Sequence, residues 1–125
     1  MVIMNRFNQL RDATEILSAT AHQQTAYLTR IMKPVSKSFN DLANIDELAL
    51  QFDDIASAVP DMVEKKEIST QQASCVVELN LLLGALSGED NSDFWTAAAL
   101  SSDSRWQEVR NKARDCLSIL DRKTL

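Results

Sequence analysis

The chain has 125 residues, a formal net charge of −5 and a sequence pI of about 4.8. This acidity argues against nucleic acid as a ligand, because phosphate binding needs a basic surface, and it favours a basic partner instead. With two Gly and two Pro in all, the chain lacks the turn residues of an all-β domain. One all-α domain, an antiparallel bundle of four to five helices over residues 1–125, is the economical fold, with 1–4 and 121–125 expected to fray.

A first helix is predicted from Asn5 to Met32. Phe7, Leu10, Leu17, Ala21, Leu28 and Ile31 recur at three-four spacing, with Thr14 and Gln24 on the same stripe. Its middle, residues 18–25, is small and polar and weakly amphipathic. Pro34 should end it, since a proline disfavours helical geometry in the residue before it. A second helix, from Asn40 to Val59, carries an apolar face of Leu42, Ile45, Ala49, Phe52, Ile55, Ala56 and Val59. Pro60 interrupts the backbone ladder and opens a further turn over 61–66.

A third helix, from Thr70 to Ser87, starts at Ser69, whose partner Gln72 three residues on completes a capping box. Gly88 is its expected stop. Cys75, Val76, Val77, Leu79, Leu81, Leu82, Leu83 and Leu86 surround nearly the whole helix, which predicts a central position. Two shorter helices follow. One spans Asp93 to Leu100, capped by Asn91 or Ser92, and the other Asp103 to Leu120, capped by Ser102 or Asp103. Trp106, Val109, Ala113, Cys116, Leu117 and Leu120 form the apolar face of the last, with Arg105, Arg110, Lys112 and Arg114 directed elsewhere. Trp95 and Trp106 either lock these helices onto the core or serve as interface anchors.

Chemistry is hard to find in this sequence. The single histidine, His22, has no carboxylate or cysteine within one helical turn, so it lacks the positioned partner that acid–base work needs. Gly84 and Gly88 build no phosphate loop, no serine sits in a nucleophile elbow, and the Glu-x-x-His motif of carboxylate-bridged bundles is absent. Cys75 and Cys116 have neither metal-ligand nor Cys-x-x-Cys spacing and read as two reduced, buried thiols. No catalytic residue, cofactor or metal is assigned. The apolar Met1–Met4 run ends at Asn5 and Arg6, so no signal-peptide core is expected. The stretch Val76–Leu86 is interrupted by Glu78 and Asn80 and falls short of the ~20 residues of a membrane span. The chain is read as cytoplasmic, with no membrane partner.

Charge is distributed unevenly. Residues 39–64 hold seven acids and no base, and residues 68–104 hold five more acids and again no base. Residues 1–37 carry five bases against two acids, and residues 105–125 six against three. At about 100° per residue, Asp46, Glu47, Asp53, Asp54 and Asp61 fall opposite the Leu42–Ile45–Phe52–Val59 face. One reading is a solvated face whose charges pair with the basic terminal segments. The other is an anionic docking surface, with Asp46, Glu47, Asp53, Asp54, Asp61 and Glu64 as its partner-binding candidates.

The stretch Trp95-Thr96-x-x-Ala99-Leu100-x-x-Asp103-x-x-Trp106-x-x-Val109-Arg110-x-x-Ala113, with Leu48-x-x-x-Phe52-Asp53-Asp54 upstream, resembles the small acidic helical immunity proteins of bacterial polymorphic toxin and contact-dependent growth inhibition systems. The likeness spans about half the chain. It implies a non-enzymatic cytoplasmic protein that binds one cognate toxin domain and blocks it, and it assigns no contact residues. A nuclease toxin would carry a suitably basic face, since its substrate is a polyanion. The alternative is a helical adaptor, chaperone or regulatory subunit of a larger assembly. Neither reading fixes an oligomeric state.

Overall fold

A computed structural model describes residues 5–32 and 45–121. Among the described residues every regular element is helical and no strand occurs. The elements are α1 (Arg6–Ser18), α2 (Ala21–Met32), α3 (Glu47–Ala56), α4 (Val59–Glu64), α5 (Thr70–Ala85), a 3-10 segment (Glu89–Trp95), α6 (Ala97–Ser102) and α7 (Ser104–Leu120).

Among the described residues seven α-helices stand where four to five were predicted, because backbone breaks divide the apolar stripes. The expected first helix is two. Ala19 is extended (φ −72°, ψ 166°), and the next residue opens a fresh capping box. The Gln23 N–H donates to Thr20 Oγ1 at 3.1 Å while the Thr20 N–H donates to Gln23 Oε1 at 3.0 Å. Two orphan donors at the start of α2 are thereby satisfied reciprocally. The second predicted helix likewise ends at Ala56 and resumes at Val59, with Pro60 in the first turn of α4. Pro34, Asp41 and Leu42 lie outside the described residues, as does the expected helix start at Asn40.

The capping box at Ser69 and Gln72 forms as the spacing predicts. Gly88, at φ +105°, ends that region in backbone geometry that side chains resist. The segment after it departs from expectation. Phe94 and Trp95 belong to the 3-10 segment, and Thr96, not Asn91 or Ser92, caps the next helix by accepting from the Ala99 N–H at 3.1 Å. The aromatic pair decides this. Phe94 is fully buried and stacks on Trp106 with centroids 4.4 Å apart. The Trp95 indole N–H reaches back to the Leu86 carbonyl at 2.9 Å. An α-helix starting at Asp93 would have to turn one of them away.

Both α1 and α5 lie against α7, α3 spans α1 and α5, α4 rests on α5, and α2 meets α6. Leu10, Leu17, Phe52, Met62, Leu79, Leu100 and Trp106 are fully buried at the shared core. Arg110 departs from its predicted outward place and is buried with them. Its Nε–H donates to Gln24 Oε1 at 3.0 Å, and its Nη2 donates to the Leu100 carbonyl. Gln24, itself buried, donates through Nε2 to the Ile16 and Leu17 carbonyls at 3.0 and 3.1 Å. One guanidinium thus closes the C-terminal end of α6 directly and that of α1 through an amide, two places where helix carbonyls lack partners. Desolvation holds the Arg110 pKa below its usual value.

The prediction that α5 is central is half right. Cys75, Val76, Leu79 and Leu83 are buried, yet Val77 is 47% exposed and Leu81 68% exposed on the opposite face. None of the described helices is long and apolar enough to cross a membrane.

Candidate functional site

The acidic residues singled out by the sequence separate into two groups in space. Asp46, Glu47, Asp53 and Asp54 share one side of α3 (at about 100° per residue they fall within about a third of a turn). Asp46, Asp53 and Asp54 are exposed and Glu47 is half-buried. Asp46 occupies the position before the helix, but its side chain makes no capping bond. Glu47 sits in the first turn, where a negative charge suits the helix dipole. It accepts from Gln51 Nε2 at 3.4 Å, and Gln51 in turn accepts from the Tyr27 hydroxyl at 2.7 Å. Asp53 accepts from Asn80 Nδ2 at 3.3 Å, which ties α3 to α5.

Asp61 does not join them. Its carboxylate on α4 lies 2.9 Å from Arg6 of α1 and 3.2 Å from Lys65. Hydrogen bonding to Arg6 and then to Lys65 holds its pKa below the usual carboxylate value. Glu67, which sequence reasoning passed over, completes this cluster by also accepting from Arg6. Glu64 is exposed at the end of α4, on a different helix from the α3 group.

Among the described residues, the idea that terminal bases neutralise the acidic stretch therefore applies to Asp61 and not to α3. Arg11 pairs with Asp121 and Glu15, Arg105 with Asp93 and Asp103, and Lys112 with Glu78. Among the described residues none of these bases, nor Arg6 or Lys65, forms an ion pair with a carboxylate of α3.

Two depressions open on the surface, one of them bordered by α3. In that one α1, α2 and α3 enclose a groove of about 880 Å³, with Ala13, Ile16, Tyr27 and Ile55 along its walls and Asp12, Glu15, Asp54 and Arg30 as its charged lining. At the other, Val59, Pro60 and Val63 of α4 and Ala73, Ser74 and Val77 of α5 border a shallower hollow of about 570 Å³. One turn beyond Val77 on the same face stands Leu81. On α3 itself Leu50 is 51% exposed among the four carboxylates. An apolar side chain ringed by unpaired acids has the make-up of a contact anchor with a polar surround.

No known family model, curated protein or solved structure matches this chain. The residues that carry the resemblance to immunity proteins are mostly architectural. Thr96 and Asp103 cap α6 and α7, while Leu100, Trp106, Val109, Arg110 and Ala113 are buried. Trp106 is a core residue whose indole donates to the Phe94 carbonyl at 2.8 Å, and Trp95 is half-buried beside it. Neither tryptophan is an exposed anchor.

His22 is exposed on α2. Among the described residues no three His, Cys, Asp or Glu side chains gather in metal-binding geometry. Leu50, Val77 and Leu81 are the surface residues that sequence reasoning missed. Leu50 was readable as the one leucine of α3 off the Leu48–Phe52–Ile55 face.

Proposed function

We propose that this chain is a cytoplasmic, non-enzymatic inhibitor of the immunity-protein type, which binds a basic cognate toxin domain and occludes its active or substrate-binding surface. The observation that carries the reading is the α3 ridge, where Asp46, Glu47, Asp53 and Asp54 surround exposed Leu50 and form no ion pair with any base among the described residues. Such a surface attracts a cationic protein at long range and disfavours acidic ones. Leu50 then supplies apolar contact once water is displaced, and the groove bordered by α3 gives room for side chains of the partner. Occlusion asks for no chemistry from this chain, only an interface of ~1,200–2,000 Å² in total.

The adaptor reading also has an observation in its favour. The Val77–Leu81 face of α5 is apolar rather than acidic, as expected of a surface covered by a permanent neighbour. The experiment that separates the two is co-expression with the product of the adjacent reading frame. An inhibitor restores growth to cells expressing that product and co-purifies with it. Co-purification with a harmless product, and no rescue of growth from a toxic one, would favour the adaptor.

A further inference from the structure

Cys75 and Cys116, which read in sequence as two separate buried thiols, meet in the fold. They are 41 positions apart, on α5 and α7, and their Sγ atoms lie 2.8 Å from each other. Both are free and buried. We propose that they form a dithiol site that a small peroxide closes into an intramolecular disulfide across the α5–α7 seam of the folded protein.

The seam is pinned on both sides of the sulfur pair. Gln72 Nε2 donates to the Leu120 carbonyl at 3.4 Å, and Lys112 pairs with Glu78 at 3.2 Å. The Cys75 thiol also lies 3.1 Å from the Gln72 carbonyl. With the two helices held this way, an S–S bond of about 2.05 Å asks for a closing motion of roughly 0.8 Å. Cys75 is 5% exposed and Cys116 is 0% exposed. Access through so narrow an opening suits a peroxide better than a bulky disulfide reagent.

Cys75 is accordingly the entry thiol. Hydrogen bonding from Cys116 favours its thiolate and lowers its pKa, while that same contact and then burial push Cys116 up. The contact therefore favours Cys75 over Cys116 as the sulfur that gives up its proton first. In the first step the Cys75 thiolate attacks one peroxide oxygen. The O–O bond breaks, hydroxide leaves, and Cys75 becomes a sulfenic acid. In the second step the Cys116 sulfur attacks the Cys75 sulfur. The S–O bond breaks, and water leaves with the Cys116 proton. Two electrons pass from the two thiols to one peroxide, and a dithiol reductant returns them.

The test treats the intact protein with hydrogen peroxide, quenches, denatures and alkylates. The expected product is monomeric, lighter by two hydrogens, refractory to alkylation until reduced, and melts higher by on the order of 10 °C. Dithiothreitol should reverse each change. Cys116→Ser removes the resolving sulfur, so peroxide should leave oxygen on Cys75 without hydrogen loss. The mass of the wild-type product decides the matter even where that variant folds poorly. Two alkylatable thiols after exposure, a disulfide-linked dimer, oxygen added beside a surviving thiol, or a disulfide that lowers the melting temperature would each overturn the proposal.

Discussion

Asp46 and Asp103 each stand just before a helix, and the molecule uses them in opposite ways. Asp103 caps α7, accepting from the Arg105 N–H at 2.8 Å, and it grips the Arg105 guanidinium as well. Arg105 extends to Asp93, and beneath this pair Phe94, Trp95 and Trp106 pack ring against ring. Asp46 makes no capping bond at α3 and has no base beside it among the described residues. In the C-terminal region Asp93 and Asp103 are both tied to Arg105 and hold structure together. The α3 ridge leaves its acids facing solvent around Leu50. Residue type and position alone do not separate a structural aspartate from a solvent-facing one; the location of the nearest arginine does.

The sharpest contrast should come from two apolar truncations. Trp106→Ala removes a fully buried indole and its hydrogen bond, and should lower stability by about 3–5 kcal/mol, read as a large drop in the denaturant midpoint. Leu50→Ala should stay within about 0.5 kcal/mol of wild type while weakening partner binding. If Leu50→Ala proved as damaging to folding as Trp106→Ala, the ridge would belong to the core.

Gln24→Leu comes next. It deprives the Arg110 guanidinium of an acceptor and the Ile16 and Leu17 carbonyls of a donor. Leaving buried polar groups unsatisfied should lower stability by about 2–3 kcal/mol, measured by urea denaturation. A neutral outcome would mean that the α1–α2 break is not held by this network.

Acid should reveal a smaller difference. Hydrogen bonding to the Arg105 side chain, then to its backbone N–H, pulls the Asp103 carboxyl down to about 2 from an ordinary value of 3.8. A carboxyl lowered in the folded state adds stability that is complete above its unfolded value and fades as pH falls through its folded one. The melting temperature should therefore decline from about pH 4 toward pH 2. Asp103→Asn keeps a capping oxygen but loses the charge, so its melting curve should fall less over that interval. Parallel curves for the two proteins would remove Asp103 from the acid response.

Much of the fold could be read from the sequence, because buried stripes with helical spacing and the Ser69–Gln72 box are local signals. The break at Thr20 was local too, but the continuous stripe from Phe7 to Leu28 masked it. Arg110 was misplaced for a different reason. Its burial depends on Gln24, 86 positions away, and a wheel drawn on one helix cannot show a partner on another. The candidate site was legible in the same uneven way. The α3 carboxylates share one side of their helix, as the spacing suggested, yet Asp61 left the set because Arg6 reaches it across 55 positions. The open face of α5 was hidden by its uniform apolarity, which looks the same whether one side or all sides are covered.

The central claim is that the carboxylates of α3 are there for a partner and not for the fold. The direct measurement is the association rate of the partner recovered by co-expression with the adjacent reading frame, with wild-type protein and with a variant carrying Asp46→Lys, Glu47→Lys, Asp53→Lys and Asp54→Lys. The account predicts association slowed at least ~10-fold at low salt, a difference that shrinks as salt rises, and an unchanged helical circular-dichroism spectrum. Equal association rates at low salt, with both proteins folded, would contradict it.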